Sequence, residues 1–496
     1  MTLTFRRYFA TTLILFGSLF PSLLFSQTKN GLTLQQCIEL ERKNGPNAKI
    51  ARNNFRSRTF SYRSFNDGLL PQILLSGTVP DYSRSIIPVI QPDGTTQYVA
   101  QSQANSTMSL SVNQPLIFTG GTLFASSSLS RNDLIGNIST STLWSSSPFV
   151  LGLRQPLFQL NTLWWDNKAN ELQSIQAIKK FNEDMEDAGI DATQKFFDAY
   201  VASMRVDNAN LNVEINDSLL TVSRGRYKVG KIDENDLLQG ELALANAQNN
   251  LATVKLDYTI ALRALATSLG LSENEVPGII PPEELPDISV NATQAIEEAH
   301  RNRSDLVAYQ LQHQNAERNL RNQELTNGFN ATVTASFGYN QTAPVLNNVY
   351  HNLLNQQAAR LDLSIPLLQW GKGSNAIGAA KEQLYEVETS IDLQQKSFDH
   401  DVESQVERFL LNQQQLKLSM KADTIAQKQY ELARNRYMIG KYDVTKLLLS
   451  QDAKDKAREN LILTEQNYWL SYFRLRRLAL FDFETGQPIS YSLEIE

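Results

Sequence analysis

The residue types that most often carry chemistry are few in this chain and widely spaced. The four histidines, His300, His313, His351 and His400, are not separated by metal-ligand spacings and have no cluster of cysteines or carboxylates beside them. The single cysteine, Cys37, excludes an intramolecular disulfide. Neither a glycine-rich phosphate loop nor the strand–turn–helix motif of a nucleophilic serine occurs. The sequence therefore predicts no catalysis, no cofactor and no metal site.

One group of carboxylates, Asp184, Glu186 and Asp187, lies close together in a stretch that is predicted to be helical. Charged residues along a helix most often form its solvated face. We therefore expect these three side chains to face solvent rather than to form an acid–base pair.

The chain is long but has few residues that break regular structure. Its 496 residues would make three or four domains at about 150 residues each. There are 16 prolines and 23 glycines, and charged residues make up 20% of the chain. The net charge is −6, and no large basic face is present to bind nucleic acid. These values favour a few very long elements over many small domains.

The beginning of the sequence indicates export. Arg6 and Arg7 precede an apolar run from Tyr8 to Phe25, which predicts a signal peptide at 1–26. The alternative is a transmembrane anchor, which Pro21 and the absence of a basic flank after the run disfavour. No later stretch offers about 18 uninterrupted apolar residues, so we expect an exported chain of this kind to enter a membrane as a β-barrel.

Two halves of the chain repeat each other at an offset of 210 residues. Residues 224–231 align with residues 434–441, and the match continues without a gap for about 27 residues more. Earlier in each half the offset is larger, because Gly68 matches Gly328 at a spacing of 260. The first half therefore has about 50 additional residues within 71–156, which predicts an added β-hairpin.

Long helical arms account for most of each repeat. Apolar residues recur every seven positions after the first repeated turn, which predicts coiled-coil packing. They are Leu237, Leu244, Leu251, Tyr258 and Leu265. Two proline-free stretches, Thr162 to Tyr227 and Lys372 to Tyr437, predict helices about 100 Å long. The other arms (33–66, 237–269, 292–326 and 447–482) are half as long and would stack in pairs beside them, with the prolines of 276–286 at the waist.

Between the helical arms, apolar and polar residues alternate with a period of two. Val333, Ala335, Phe337 and Tyr339 form one such series, and the return strand alternates apolar residues with Arg360 and Asp362. This pattern is typical of a membrane barrel, in which Arg360 and Asp362 would line the lumen, although a half-buried soluble sheet gives the same pattern. Trp164, Trp165 and Trp370 would suit an interfacial girdle, and a packed helix start is the alternative for the first two.

Several motifs are shared with one known family. They are the opening Leu32-Thr33-Leu34-Gln35-Gln36-Cys37-Ile38, the stretch Asn302-Arg303-Ser304-Asp305-Leu306, the Pro-Leu strand exits followed by Gly371 and Gly373, and the paired Arg-Tyr-x-x-Gly turns. Over residues 33–482 the chain resembles the TolC family of outer-membrane efflux proteins. The resemblance implies a mainly α fold with a β portion. Duplicated coiled-coil hairpins would form a trimeric periplasmic α-barrel that continues into a transmembrane antiparallel β-barrel.

The resemblance also implies a function and partners. The chain would be the outer-membrane channel of a tripartite efflux or type I secretion system in a Gram-negative bacterium, extending into the periplasm and conducting substrates passively. It would form a homotrimer, contact outer-membrane lipid, and work with a periplasmic adaptor (membrane fusion) protein and an inner-membrane RND or ABC transporter. The alternatives are an exported trimeric coiled-coil surface adhesin and a periplasmic structural scaffold.

The expected organisation follows from the repeat and the family together. A first repeat covers 27–271, with strands at about 70–158 and a tip at about 228–236. A proline-rich linker at 272–291 lies in the equatorial region. A second repeat covers 292–482, with strands at about 331–367 and a tip at about 438–446, and a tail covers 483–496.

The two repeated turns are the expected periplasmic tips, where glycine lets the chain reverse tightly. The residues expected there are Arg226, Tyr227, Val229, Gly230 and Lys231 in the first tip and Arg436, Tyr437, Ile439, Gly440 and Lys441 in the second. They would contact the adaptor, or only cap and pack the turn. Asp236 matches the family's tip aspartate and is the expected gate residue.

Three features depart from the family pattern. Ser304 stands where the family usually has proline. The added hairpin would raise the strand number above the usual four per subunit or form a separate sheet. Tyr442 stands where the best-studied member has an arginine that holds the tip shut, and Lys441 and Lys446 are the candidates to replace it.

Overall fold

The computed structural model describes residues 31–135, 140–272, 278–282, 286, 288–439, 441–442 and 444–492. The predicted signal peptide at 1–26, Gly440 of the second tip and parts of the proline-rich linker lie outside the described residues. Across the described part, none of the helices combines the length and the apolar character needed to cross a membrane.

The helices form two sets of four that agree in order and length. The first set is α1 (Leu34–Asn44), α2 (Pro46–Gly68), α3 (Thr162–Lys228) and α4 (Glu234–Ser268). The second set is α5 (Ala292–Asn302), α6 (Ser304–Thr326), α7 (Lys372–Met438) and α8 (Val444–Ala479). The lengths are 11, 23, 67 and 35 residues in the first set and 11, 23, 67 and 36 in the second. The internal repeat of the sequence is therefore a repeat of structure.

Polar side chains fix where these helices begin. The N–H of Gln36 donates to Thr33 Oγ1 (3.3 Å) and the N–H of Thr33 donates to Gln36 Oε1 (3.0 Å), which is a reciprocal cap at the start of α1. At the start of α4, Asp233 Oδ1 accepts the N–H of Asp236 (2.8 Å). The opening motif that carried the family resemblance is thus a helix-start signal.

Six long strands form one antiparallel sheet, and two pairs of two-residue strands lie apart from it. In chain order the strands are β1 (Gly31–Leu32), β2 (Gln72–Ile90), β3 (Thr96–Leu116), β4 (Gly121–Ile135), β5 (Thr140–Leu157), β6 (Gly278–Ile279), β7 (Asn330–Ala343), β8 (Leu354–Ser364), β9 (Phe481–Asp482) and β10 (Gln487–Pro488). The large sheet has the order β2-β3-β4-β5-β7-β8. Its first four strands come from the first repeat and its last two from the second, so the additional residues of the first repeat lie within one continuous sheet.

Each long helix is accompanied by two shorter ones. Between the waist and the sheet α2 packs on α3, with Ala48 and Ala51 beside Phe181 and Met185 at the waist end, and α4 packs along the rest of α3. In the second repeat α6 and α8 pack on α7 in the same way. The two repeats are joined by contacts of α3 with α6 and α8.

The main hydrophobic core lies at the waist, where α1, α5 and the ends of α4 and α8 meet the middles of α3 and α7. Its largest fully buried side chains include Phe196, Phe409, Tyr468 and Tyr472. The ring of Phe409 lies 5.4 Å from that of Tyr468 and 5.8 Å from that of Tyr472. Strands β1 and β6 pair in parallel, and their residues Leu32 and Ile279 pack against this core.

The carboxylates that were expected on a solvated face are not all exposed, and for Glu186 that prediction is wrong. Glu186 is fully buried because Arg42 of α1 (2.7 Å) and Arg476 of α8 (3.3 Å) both pair with its Oε1. The hydroxyl of Tyr491 donates to the same oxygen. Asp184 and Asp187 lie half-exposed beside it. The helical spacing of these residues predicts the helix, but it carries no information on the three distant segments that cover Glu186.

Candidate functional site

The large sheet has one strongly apolar face. Residues directly opposite each other in neighbouring strands share a face, and the pairs Leu75↔Leu110, Leu123↔Leu153 and Val333↔Leu361 all lie on the same one. Each of the six strands contributes apolar residues to this face, and together they form an apolar band. Its residues are Ile73, Leu75, Leu110, Val112, Leu123, Ala125, Leu151, Leu153, Ala335, Phe337, Leu361 and Leu363. Many of these side chains are exposed in the single chain.

The opposite face is rich in serine and carries the two predicted lumen residues. On it lie Ser76, Ser109, Ser111, Ser126, Ser128, Thr334 and Ser336. Arg360 is paired with Thr334 and Asp362 with Thr332, so both side chains project from this polar face. Arg360 Nε lies 2.8 Å from Asp362 Oδ1, and both are exposed. The sheet therefore separates an apolar surface from a polar, charged one.

Within the described residues of the single chain, neither edge of this sheet has a partner strand. Strand β2 pairs with β3 alone, and β8 pairs with β7 alone. Because all five pairings are antiparallel, the first and the sixth strands run in opposite directions. Unpaired edges expose backbone N–H and C=O groups that pair readily with another strand. The geometry allows β8 of one copy to continue the sheet through β2 of another, again antiparallel.

Aromatic side chains stand at both ends of the apolar band. Where strands meet helices, Phe118 is 96% exposed and Trp370 is 89% exposed, and the ring of Phe158 lies 5.2 Å from that of Phe329. At the far end the Arg131 guanidinium lies 5.3 Å from the centre of the Trp144 ring. Aromatic rings at two levels flanking an apolar band are typical of a membrane-spanning sheet.

Of the three tryptophans singled out from sequence, Trp164 and Trp165 lie in the first turn of α3. Their rings meet edge to face at 5.1 Å. The N–H of Trp164 donates to Asn161 Oδ1 (3.1 Å), and Lys168 lies over both rings. Their contacts are those of a packed helix start, and Trp164 is also exposed.

The first tip is the turn between α3 and α4. The N–H of Lys231 donates to the carbonyl of Arg226 (2.9 Å), and that of Gly230 donates to the carbonyl of Tyr227 (2.9 Å). Gly230 has a φ of 70°, in the left-handed region that favours glycine. Val229 is 68% exposed at the apex. The five predicted residues of this tip therefore lie in one turn.

The second tip, between α7 and α8, has the same frame. The N–H of Lys441 donates to the carbonyl of Arg436 (2.9 Å), and Ile439 is 66% exposed, like its counterpart in the first tip. Tyr437 lies in the last turn of α7. Gly440 belongs to this tip by sequence and lies outside the described residues. Each tip thus presents one exposed apolar side chain beside basic residues.

Tyr442 is held between two cations, which the sequence alone did not predict. Arg436 Nη1 donates to the Tyr442 hydroxyl (2.7 Å), and its guanidinium lies 5.2 Å from the ring centre. Lys446 Nζ lies 5.4 Å from the same ring. Of the two lysines proposed to replace the family's arginine, Lys446 is the one that contacts Tyr442. Asp236, the predicted gate residue, is exposed in the first turn of α4.

Three of the four histidines lie beside carboxylates, and His313 lies near two of them, Glu317 on its own helix and Glu388 on α7. His313 Nε2 lies 3.3 Å from Glu388 Oε1, and His300 pairs with Asp399. In the part of the chain that the structure describes, no group of three or more His, Cys, Asp or Glu side chains is placed to hold a metal ion.

A second buried carboxylate at the waist joins the kink between α5 and α6 to α3. Glu183 is 1% exposed and accepts the backbone N–H of Ser304 through Oε1 (2.9 Å). Arg303 Nη1 lies 3.3 Å from Glu183 Oε2 and donates to the carbonyl of Arg477 (3.3 Å). The Asn-Arg-Ser-Asp-Leu motif therefore ties the short helices of the second repeat to the long helix of the first.

A third carboxylate, Glu41 of α1, is fully buried against Gly45. Burial, together with the nearby negative charge of Asp191, raises the pKa of Glu41 to about 7. Burial likewise raises the pKa of Glu465 on α8 to about 7, against an opposing effect of Arg458. The waist therefore contains carboxyl groups whose charge changes near neutral pH.

Comparisons with a family model and with solved structures relate this chain to known proteins. The family model described as outer membrane efflux protein matches residues 120–271 and 295–479. The fold is similar to the CmeC outer membrane channel of Campylobacter jejuni, with a TM-score of 0.64 and 14% identity over 92% of this chain and 87% of that one. It is also similar to the outer-membrane channel OprN (TM-score 0.63, 14% identity, 91% of this chain and 90% of that chain). A third similar structure is the open state of the MtrE outer membrane channel of Neisseria gonorrhoeae (TM-score 0.60, 12% identity, 92% and 91%). No curated protein sequence matches significantly.

Proposed function

The chain belongs to the outer membrane efflux protein family, and from this we propose that it is the exit duct of a tripartite efflux or type I secretion system. The observation that carries the proposal is the six-stranded sheet, which has one apolar face, one polar face and two unpaired edges of opposite direction. Such a sheet completes its hydrogen bonding by pairing edge to edge with further copies of itself.

Three copies would close the sheet into a barrel of about eighteen strands. The family relationship supports the homotrimer, and the even number of strands in each copy supports closure, since every seam is then antiparallel. The added strands of the first repeat would widen the pore rather than form a separate sheet. With a strand spacing of about 4.8 Å and a tilt of about 40°, the barrel would have a radius of about 18 Å.

In this barrel the apolar face would contact outer-membrane lipid and the polar face would line a water-filled lumen. On β7, the apolar positions from Val333 to Tyr339 span about 20 Å along the strand, which at a tilt of about 40° covers about 15 Å of the roughly 25 Å apolar band of such barrels. Arg360 and Asp362 would then be lumen residues, where their charges remain hydrated.

The helical hairpins would carry the duct across the periplasm. Helices α3 and α7 are each about 100 Å long. The proposed repeats are 27–271 and 292–482, with their strands in the membrane, their helices in the periplasm and the linker 272–291 at the equator. The location in the cell would be the Gram-negative outer membrane. Transport through the duct would be passive, with energy supplied by an inner-membrane RND or ABC transporter.

The two tips would form the adaptor contact and the gate. Val229 and Ile439 offer equivalent exposed apolar contacts beside Lys231 and Lys441, which suits the hairpin of a periplasmic adaptor. Asp236 is proposed to contribute to the closed tip.

Fractionation of cells tests the assembly. The full-length protein is expected in the outer-membrane fraction as a trimer that dissociates to single chains only on heating. Recovery as a monomer in the periplasmic fraction would contradict the proposal and favour a scaffold.

Photo-crosslinking in cells tests the adaptor contact. A crosslinker at Val229 should capture a periplasmic adaptor, whereas one at Leu256, which is similarly exposed in the single chain but lies far from the tip on α4, should capture another copy of this chain. Equal adaptor capture from both positions would show that the tip is not the specific contact.

A further inference from the structure

The hairpin of β2 and β3 extends well beyond the rest of the sheet. Pairing of β3 with β4 ends at Ser102↔Ile135, whereas pairing of β2 with β3 continues to Ile90↔Thr96. Residues 85–90 and 96–101 therefore form a two-stranded ribbon, here named the rim ribbon, with no third strand beside it among the residues that the structure describes. At about 3.4 Å per residue it projects about 20 Å past its neighbour.

One face of the rim ribbon carries large, exposed apolar side chains. Ile86, Ile90 and Tyr98 are 70%, 77% and 72% exposed, and Tyr82 at the base is 59% exposed. Strand β3 keeps its register against β4 as far as Ser102 and against β2 from Asn105 to Thr96, so its even-numbered residues, from Val112 in the apolar band to Tyr98 in the ribbon, stay on one side of the strand. The exposed face of the ribbon is thus continuous with the apolar face of the sheet.

The opposite face of the ribbon is mixed in character. It carries Gln97 and Gln101 together with Ile87, Val89 and Val99. Its apolar side chains are less exposed: Val89 is 37% and Val99 40% exposed, and Ile87 is half-buried. The two faces therefore differ in degree: one combines glutamines with partly covered apolar side chains, and the other leaves four large apolar residues exposed in the described chain. Apolar surface of this kind marks an interaction site.

The charge of the rim ribbon and the direction of its apolar face indicate which molecule it contacts. Arg84 is the one basic residue between Tyr82 and Ser130, and it lies on the apolar face, directly opposite Ser102. In a closed ring the copies meet through their strand edges, so this face points away from the other copies. Tyrosine, isoleucine and a single arginine match a lipid headgroup layer, where aromatic rings are favoured and phosphate pairs with a cation.

A bulge in β2 before the ribbon favours that contact. Pairing shifts between Thr78 and Asp81, four residues before the ribbon begins and where β3 still pairs with β4, with the additional residue on β2 next to Pro80. A bulge of this kind bends its strand and increases the local twist. We propose that the rim ribbon leans outward and lies with Ile86, Ile90 and Tyr98 against the phosphate-bearing headgroup layer of the membrane that surrounds the barrel. This inference rests on the proposed function, because it requires the barrel to be in a membrane.

A fluorescent probe on each face tests the contact. Cys37 is fully buried, so an environment-sensitive thiol probe can be placed by Tyr98→Cys or, as the matched control on the opposite face, by Gln97→Cys. The labelled full-length proteins are reconstituted in vesicles of phosphatidylethanolamine with or without phosphatidylglycerol. The probe at position 98 should be quenched by brominated lipid and protected from iodide, and the probe at position 97 should show the reverse. Adding Arg84→Gln should reduce lipid quenching at position 98 in the phosphatidylglycerol vesicles.

Two results would overturn the inference. Equal iodide quenching at positions 97 and 98 would show that the ribbon stands in water. Excimer emission from pyrene at position 98 in the trimer would show that the ribbons of different copies meet each other. Conductance of the same vesicle preparation separates the two proposals: a conducting channel with either result contradicts the ribbon contact alone, and a preparation without channels contradicts the proposed function and the ribbon contact with it.

Discussion

The backbone N–H of Ser304 donates to Oε1 of Glu183 at 2.9 Å, across the waist between the two repeats. Both residues are buried. A proline at position 304 could begin α6 equally well, as Pro46 begins α2, but it has no N–H to donate. The family's usual proline would therefore remove a hydrogen bond on which the buried carboxylate of this chain depends.

Ser304→Pro is accordingly expected to destabilise the folded chain by about 1–3 kcal/mol, the range for a hydrogen bond to a buried charged group. Ser304→Ala is the matched control, because it keeps the N–H and should cost less. The free energy of unfolding in denaturant, compared among wild type and both variants, measures the difference. Equal stability of the two variants would show that the Ser304 N–H is dispensable.

The buried Glu41 should make stability depend on pH. Its pKa is raised from 4.5 to about 7 in the folded chain, first by burial and then by Asp191. The folded state therefore holds this proton more tightly than the unfolded state. Its contribution to stability is fully present below about pH 4.5 and is lost as the pH rises through about 7, by on the order of 3 kcal/mol.

Glu41→Gln should remove this dependence. Its melting temperature should exceed that of the wild type at about pH 8 and approach it at about pH 5. Glu39→Gln, an exposed change two residues away on α1, is the control and should leave the wild-type profile in place. Parallel melting curves for wild type and Glu41→Gln across this range would mean that Glu41 does not titrate there.

At the second tip, Tyr442→Phe should loosen the turn without unfolding it. The change removes the hydroxyl that accepts from Arg436 Nη1 but keeps the ring beside Lys446. Because these groups are partly exposed, the cost in stability should be below about 1 kcal/mol.

Single-channel recording should show a larger open fraction for Tyr442→Phe than for wild type. Tyr437→Phe, in the last turn of α7 of the same tip, is the control and should gate normally. If both variants gate like the wild type, the Arg436–Tyr442 contact does not hold the tip.

The long elements could be predicted because their signals are local. The stretches Thr162 to Tyr227 and Lys372 to Tyr437 became helices within one residue of those bounds, since caps and glycines mark their ends. The alternation of apolar and polar residues along β7 and β8 likewise predicts that Arg360 and Asp362 lie on the polar face, and the register of the two strands confirms it.

The long-range packing could not be predicted from the sequence. The burial of Glu186 could not be predicted, because Arg42, Arg476 and Tyr491 come from segments more than a hundred residues away along the chain. The contacts of Arg436 and Lys446 with Tyr442 depend on how the turn closes. The rim ribbon depends on where β4 stops pairing with β3. Each of these features is set by which segments meet, and periodicity within one segment does not encode that.

Single-channel recording from the purified full-length protein in a planar lipid bilayer tests most directly whether this chain is a duct. Insertion should produce discrete, stable current steps from a water-filled pore, and charge changes on the polar face, Asp362→Asn or Arg360→Gln, should shift its ion preference in opposite directions. A protein that binds the bilayer without current steps, or whose ion preference is insensitive to both changes, would contradict a lumen lined by this face.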